Sequence, residues 1–340
     1  MVDLAGDSVA VAVETQPHMK SETARVAEVG CRHSRGHGSN EPHVVRGNGC
    51  SAVRQAPREI EMESPGNMDS GTAMGKLQEA AHGSGHDYAS GSPHIKHYGL
   101  RTKVSETLQE VIGAVIDQLG ECRVLEVGAG HGTFTDHILA AGAEVEVTEM
   151  SRPSAELLQR RFRNNSAVRV TYDPEGVNSN AASGELHAVV CLSVLHHIPD
   201  YLSAVKNLVA RINPGGAFIS FQDPLWYSRR TRRSRLVERC AYLSWRLTRR
   251  SLKRGFATSI RRIRGIYDES SPSDMVEYHV VRNGVDEQAL ADFLQRDFDE
   301  VRVFSYWSTQ GSIAQSIGER LCAPNTFAVV ATGRKVVAVS

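Results

Sequence analysis

From about residue 100 onward the apolar residues fall into two alternating patterns. Val104, Leu108, Val111, Ile112, Val115, Ile116 and Leu119 recur at three- and four-residue spacing, which predicts a helix over 104–119 ended by Gly120. A short dense apolar run then predicts a strand over Arg123–Val127. A helix from Thr133 to about Ala140 follows, and Gly142 separates it from a strand over Glu144–Glu149. A helix over Pro153–Arg163 carries proline in its first turn. Next come strands over Arg169–Tyr172 and Ala188–Leu192, and a helix from about Asp200 to Arg211. Asn213-Pro-Gly-Gly216 turns the chain into a strand over Ala217–Phe221. A helix over Asp286–Leu294 and strands over Val301–Tyr306 and Phe327–Thr332 close the pattern. This alternation specifies an α/β fold, a doubly wound parallel sheet with helices on both faces. Ligands of such sheets bind at the carboxyl ends of the strands.

Two segments break the pattern. Residues 1–85 are rich in Gly, Ser, His, Glu and Arg and lack sustained apolar periodicity, so they are expected to be a disordered tail. Met74 is an alternative natural start. Cys31, His33, His37, His43 and Cys50 match no tight zinc spacing, and no metal site is expected. Order is expected from about His86, where Ser92-Pro-His94 caps and starts a segment. The resulting division is a tail over 1–85, an N-terminal helical cover over 86–120, and a main domain over 121–335 with an insertion at about 225–280. Within that insertion, Arg229–Arg264 holds fourteen basic residues and one acid, Glu238. Leu236, Val237, Cys240, Leu243, Trp245 and Leu247 are interleaved with them. Such a stretch is a solvated helix face by default. It also suits a phosphate or other anion on a ligand, or peripheral contact with an anionic membrane.

Composition narrows the setting. The 39 basic and 39 acidic residues cancel, so the whole-chain charge predicts no nucleic-acid partner. The first residues lack the basic start and apolar core of a signal peptide, and no run reaches the ~18 apolar residues of a membrane span. The six cysteines are scattered without a framework spacing. A reducing cytoplasm is the expected location.

The chemistry gathers after the first strand. Val124-Leu-Glu-Val-Gly-Ala-Gly-His-Gly-Thr133 delivers three glycines to a helix start. Glycine lets a ligand approach the backbone, and the free N–H groups of a first helical turn attract electron-rich groups. A dinucleotide and S-adenosylmethionine both fit such a cradle. Both require an acid at the end of the second strand to hold ribose hydroxyls, and Glu149 stands there. The third glycine falls one residue early for the dinucleotide spacing, which suits a ligand with no pyrophosphate. Glu126, inside the first strand, can reach the loop backbone or a ligand's charged amino-acid end.

Val124–Gly132, Glu149, Cys191–Pro199 and Pro214-Gly-Gly216 stand in family order and spacing. With them the segment 123–221 resembles a class I S-adenosylmethionine-dependent methyltransferase of the small-molecule type. The resemblance implies a Rossmann-like, mostly parallel seven-stranded sheet whose last strand is antiparallel. It implies that Gly128, Ala129 and Gly130, with Gly132 and Glu126 beside them, line the methionine part of the cofactor. Glu149, followed by Met150, would take the ribose, Asp173 the adenine, and Cys191 and Leu192 would lie alongside. Residues 1–85 and 225–280 fall outside the resemblance.

Methyl transfer from a sulfonium asks only that a nucleophile be held in line and water excluded; a base is needed when the acceptor arrives protonated. His197 and His196 are the candidate bases, with packing of the helix start as the alternative. Asp223, Trp226, Tyr278 and His279 are the candidate acceptor-site residues, and core packing of the cap is the competing account of its aromatics. The expected function is methylation of a small-molecule acceptor, at oxygen before carbon or nitrogen, in the manner of secondary metabolism. The alternatives are a lipid or lipid-linked acceptor met at the membrane surface, and a cofactor-binding protein without turnover.

Overall fold

The computed structural model describes residues 92–174, 185–198, 200–248, 284–321 and 323–336. The expected disordered tail, the candidate residues Tyr278 and His279, and the basic residues beyond position 248 lie outside the described residues, as does the Trp245 side chain.

Strands β1 (Arg123–Val127), β2 (Glu144–Glu149), β3 (Val168–Tyr172), β4 (Leu186–Leu192), β5 (Ile212–Pro224), β6 (Phe298–Tyr306) and β7 (Thr326–Arg334) form one sheet in the order β3-β2-β1-β4-β5-β7-β6. Parallel ladders join β3 through β5, and β7 runs antiparallel to both β5 and β6. The chain winds outward in one direction from β1 and in the other from β4. The crevice between their carboxyl ends is therefore the switch point where ligands of such sheets bind.

Alternate strand residues feed two cores. On one face Val124, Val145, Val147, Val190 and Ile219 pack beneath α2 (Tyr98–Leu119), α3 (Thr133–Ala140) and α4 (Arg152–Phe162). On the other, Leu125, Val127, Val189, Phe218 and Val329 meet α5 (Tyr201–Val209) and α7 (Glu287–Asp297). The apolar run of 104–119 does lie inward: Val104, Leu108, Val111, Ile112 and Val115 are all buried on α2. That helix starts earlier than its apolar stripe, directly after the short α1 (Pro93–Lys96). Gly120 ends it in the left-handed conformation, φ 86°.

Two differences from the sequence pattern have physical causes. Asn213-Pro-Gly-Gly216 is no turn before β5 but an irregularity inside it. Ile212 pairs with Leu186 and Ala217 with Ala188, so the extra residues bulge out of the ladder. A Cβ at Gly216 would stand 2.3 Å from the His187 carbonyl oxygen, which is why that position is glycine. The second difference is α8 (Ser312–Arg320), whose polar sequence gives little helical signal. It forms by docking: Gly318 lies flat on Trp307, whose indole N–H donates to the Ala314 carbonyl at 3.1 Å. The first part of the basic segment is α6 (Arg232–Thr248). Its inner side is pinned by Ser234 Oγ, which donates to the Pro324 carbonyl at 2.6 Å, and by Arg230, which pairs with Glu238 at 2.6 Å.

Candidate active site

The glycine loop leaves β1 at the switch point. Gly128, Gly130 and Gly132 all take left-handed backbone, with φ 67°, 59° and 79°. Two of them are also sterically required. A Cβ on Gly128 would come within 2.9 Å of Val194 Cγ2, and one on Gly132 within 2.8 Å of Leu158 Cδ2 and 2.9 Å of Phe162 Cε2. Gly128 N–H donates to the Thr148 carbonyl at 2.8 Å, tying the loop to β2. Gly132 caps α3, so the free N–H groups of that helix open toward the crevice.

Two buried acids flank the loop, and their work is divided differently from the sequence expectation. Glu149, not Glu126, engages the loop backbone. Its Oε2 accepts from Gly130 N–H at 2.9 Å and its Oε1 from Ser151 N–H at 3.0 Å. Met150 N–H bonds the same carboxylate, so three of its about four acceptor sites are filled and one stays open. Burial pushes the Glu149 carboxyl up, against the pull of these N–H groups. Glu126 instead accepts from the Thr135 hydroxyl at 2.5 Å, one turn into α3. Its burial, opposed by that hydrogen bond and reinforced by Asp136 and Glu149, raises it to about 7. Asp173 is buried at the end of β3, and its backbone N–H donates to the Glu149 carbonyl at 2.9 Å. Met150 is half-buried between Glu149 and Ser151. The loop and Glu149 thus offer N–H groups, a vacated backbone approach and a two-oxygen acid, a donor set that fits S-adenosylmethionine.

On the far side of the crevice, Cys191 and Leu192 end β4, both buried. Burial, then the neighbouring Asp223, push the Cys191 thiol far up, so it is an inert packing group. Ser193 and Gln222, just beyond the core of β4 and within β5, are the non-glycine residues with positive φ among those described, at 62° and 69°. Such backbone costs of order 1–3 kcal/mol and persists only where surroundings impose it. Ser193 N–H donates to the Phe221 carbonyl at 2.7 Å. Gln222 N–H donates to the Tyr306 hydroxyl at 3.0 Å, and its Nε2 donates to Ser308 Oγ at 2.6 Å. The ladder slips here, with Phe221 opposite Ala328 but Asp223 opposite Phe327.

That slip sets Asp223 behind His196. Asp223 is 0% exposed; its Oδ1 lies 2.8 Å from His196 Nδ1 and also accepts His196 N–H at 3.1 Å. Its Oδ2 accepts from Ser220 Oγ at 2.7 Å. A carboxylate only accepts, so Nδ1 carries the proton, and in the neutral ring that tautomer leaves Nε2 as the acceptor. His197 lies beside this ring, centroids 4.0 Å apart. Asp223 therefore supports His196, with three of its about four acceptor sites filled by His196 and Ser220. Trp226 is half-buried, with its N–H donating to Glu287 Oε2 at 3.2 Å. The sequence reading missed Ser220, Gln222 and Tyr306. The one legible trace was Ser220, a lone hydroxyl inside the apolar run of β5.

Comparison with known proteins agrees with this geometry. Residues 94–259 match the family model of a methyltransferase domain. Over that segment, just under half of its length, the chain is similar to a methyltransferase domain. It is 32% identical over 96 residues to a ubiquinone biosynthesis O-methyltransferase of Xanthomonas campestris, covering 28% of this chain and 40% of that one. It is 32% identical over 113 residues to the enzyme of the same name from Bordetella avium, covering 33% and 45%. The chain thus spans less than half the length of these curated relatives. Among solved structures, magnesium protoporphyrin IX methyltransferase of Synechocystis with bound S-adenosylmethionine aligns over 80% of this chain and 100% of that one, at 12% identity and TM-score 0.44. An N-methyltransferase of Bradyrhizobium japonicum in complex with S-adenosyl-L-homocysteine aligns over 72% and 91%, at 12% identity and TM-score 0.42.

Proposed function

We propose that this protein methylates a hydroxyl group of a small-molecule acceptor, with His196 as general base and Asp223 as its positioning residue. The observation that carries the reading is the Ser220–Asp223–His196 chain of hydrogen bonds at the carboxyl ends of β4 and β5, beside the glycine loop. The curated relatives are named O-methyltransferases, which supports oxygen as the methylated atom. When bound, S-adenosylmethionine supplies a methyl group already activated by its sulfonium. Gly128, Ala129, Gly130 and Gly132 would line its methionine end, Glu149 its ribose, and Asp173, Cys191 and Leu192 its flanks. Asp223 fixes the imidazole tautomer and steadies the imidazolium that forms. His196 Nε2 takes the acceptor proton, leaving the oxygen its full electron pair for the new bond. Such a base contributes about 10²–10⁴-fold.

The test joins calorimetry to turnover. S-adenosylhomocysteine should bind wild type and His196→Asn within twofold of each other. Methyl transfer to a panel of phenols and alcohols should fall at least 100-fold in His196→Asn and at least tenfold in Asp223→Asn. An unchanged rate in His196→Asn would remove the base, and absent nucleoside binding would remove the methyltransferase reading itself. The two buried unpaired thiols, Cys122 and Cys191, support a reducing compartment such as the cytoplasm.

A second reading concerns where the acceptor is met. Leu236 and Leu243, 62% and 46% exposed, stand one stripe apart on α6 among Arg232, Arg233, Arg235 and Arg239. An apolar stripe edged by arginines suits an anionic bilayer and hence a lipid-linked acceptor. No helix among the described residues is long and apolar enough to cross a membrane. Flotation with phosphatidylglycerol vesicles should show binding that 0.5 M salt releases and Leu236→Asp abolishes. No binding at low salt would leave the soluble acceptor.

A further inference from the structure

His94 stands on α1, at the edge of the N-terminal cover, and is 5% exposed. Its ring stacks on Phe134, the second residue of α3, with centroids 5.6 Å apart and planes 19° apart. The cover is anchored just beyond it. Lys96 Nζ donates to the Gln310 carbonyl at 2.6 Å, and His97 Nε2 lies 2.7 Å from the Thr309 carbonyl oxygen. The ring is thus held in place from both sides. Yet its Nδ1 is buried with no hydrogen-bond partner among the described residues. Buried polar atoms are nearly always satisfied, and a phenylalanine would stack on Phe134 without leaving a nitrogen dry. An imidazole there makes sense when a ligand completes it.

Its surroundings say which ligand. His94 is near enough to His196 for their charges to interact. Burial first, then His196, lower it to about 4, and the ring is neutral near pH 7. We propose that His94 is an acceptor-binding residue: its buried Nδ1 hydrogen-bonds an uncharged, hydroxyl-bearing acceptor whose reacting oxygen lies against His196. This rests on the methyltransferase reading above and names the acceptor class for that site. A neutral imidazole on one side and the Asp223 carboxylate behind the other give no counter-charge to a carboxylate or phosphate near the reacting oxygen. An alcohol or a phenol fits; an anion does not.

The full chain, labelled with ¹⁵N in its histidine rings and loaded with S-adenosylhomocysteine, tests this by NMR at pH 7. Phenol at millimolar concentration should shift the His94 and His196 ring signals; toluene and benzoate should shift neither. In His94→Phe, phenol affinity should fall at least fivefold while S-adenosylhomocysteine affinity stays within twofold, which also reports that the variant is folded. His94→Asn should regain at least half of the lost affinity. The proposal is overturned if phenol leaves the wild-type His94 signal unmoved, if benzoate binds better than phenol, or if His94→Phe loses tenfold in nucleoside affinity. The last result would make His94 a cofactor residue. Failure of these arms with intact nucleoside binding spares the methyltransferase reading; absence of nucleoside binding sinks both.

Discussion

Two buried acids only a loop apart are both pushed up by burial but are satisfied to different degrees. Glu149 is satisfied by three backbone N–H groups, of Gly130, Met150 and Ser151, whereas Glu126 has one hydroxyl. A folded-state value near 7 against 4.5 in the free residue means the folded protein holds a proton on Glu126 that the unfolded chain releases. Folding stability from this group therefore falls as pH rises from about 4.5 to about 7, and the full penalty, about 3 kcal/mol, is present above that. Glu126→Gln keeps an acceptor for Thr135 and removes the charge. In urea unfolding without ligand it should exceed wild type by about 1–3 kcal/mol at pH 8 and match it near pH 4.5. A variant less stable than wild type at pH 8 would show that the carboxylate is solvated. At Glu149 the expectation differs. Glu149→Gln turns one acceptor into a donor facing an N–H group and removes the acid proposed to hold the ribose. Calorimetry should record S-adenosylhomocysteine affinity at least 30-fold weaker, about 2 kcal/mol, the scale of a charge-assisted hydrogen bond.

At the scale of elements, the glycine loop is a joint between β1 and α3 that admits no side chain at its last turn. Gly132→Ala would combine left-handed backbone with a Cβ less than 3 Å from both Leu158 and Phe162. Strain and overpacking together should lower the urea-unfolding stability by about 2–4 kcal/mol. Stability unchanged within about 0.5 kcal/mol would mean that α4 yields freely. This joint was legible in the sequence, because a buried strand, glycines and a helix start are all local signals. So were β1, α3 and β2, whose limits match the pattern residue for residue. What stayed hidden is made by neighbours. β5 runs from Ile212 to Pro224 because β4 and β7 extend its ladder, not because its ends look like a strand. α8 depends on Gly318 meeting Trp307, eleven residues earlier in the chain. The His196–Asp223 pair joins residues 27 apart and depends on the slip at Gln222, which the buried Tyr306 hydroxyl holds in place. No periodicity encodes a positive φ at a glutamine. His94 was legible only as part of a helix start, since its importance lies in a nitrogen without a partner.

Across the whole molecule, the switch point collects parts from every layer. The loop comes from β1, Glu149 from β2, His196 from the turn after β4, Asp223 from β5, and His94 from the cover in front of α2. A ligand that touches these parts links elements distant in sequence, so its binding should register in global stability rather than in one loop. Mass action sets the size: at 100 times its dissociation constant, a ligand specific to the folded state adds about 2.7 kcal/mol. For a domain of this size that corresponds to a rise of roughly 5–10 °C in melting temperature. S-adenosylhomocysteine should produce such a shift in differential scanning fluorimetry, and NAD should not, because the third glycine falls one residue early for the dinucleotide spacing. Glu149→Gln should need about 30-fold more nucleoside for the same shift, since its weaker affinity enters the same logarithm. His196→Asn should give the wild-type shift, because it acts on the acceptor proton and not on the nucleoside. A nucleoside shift lost equally in both variants would place His196 in the cofactor site, and His94, whose ring feels its charge, would then have to be reassigned with it.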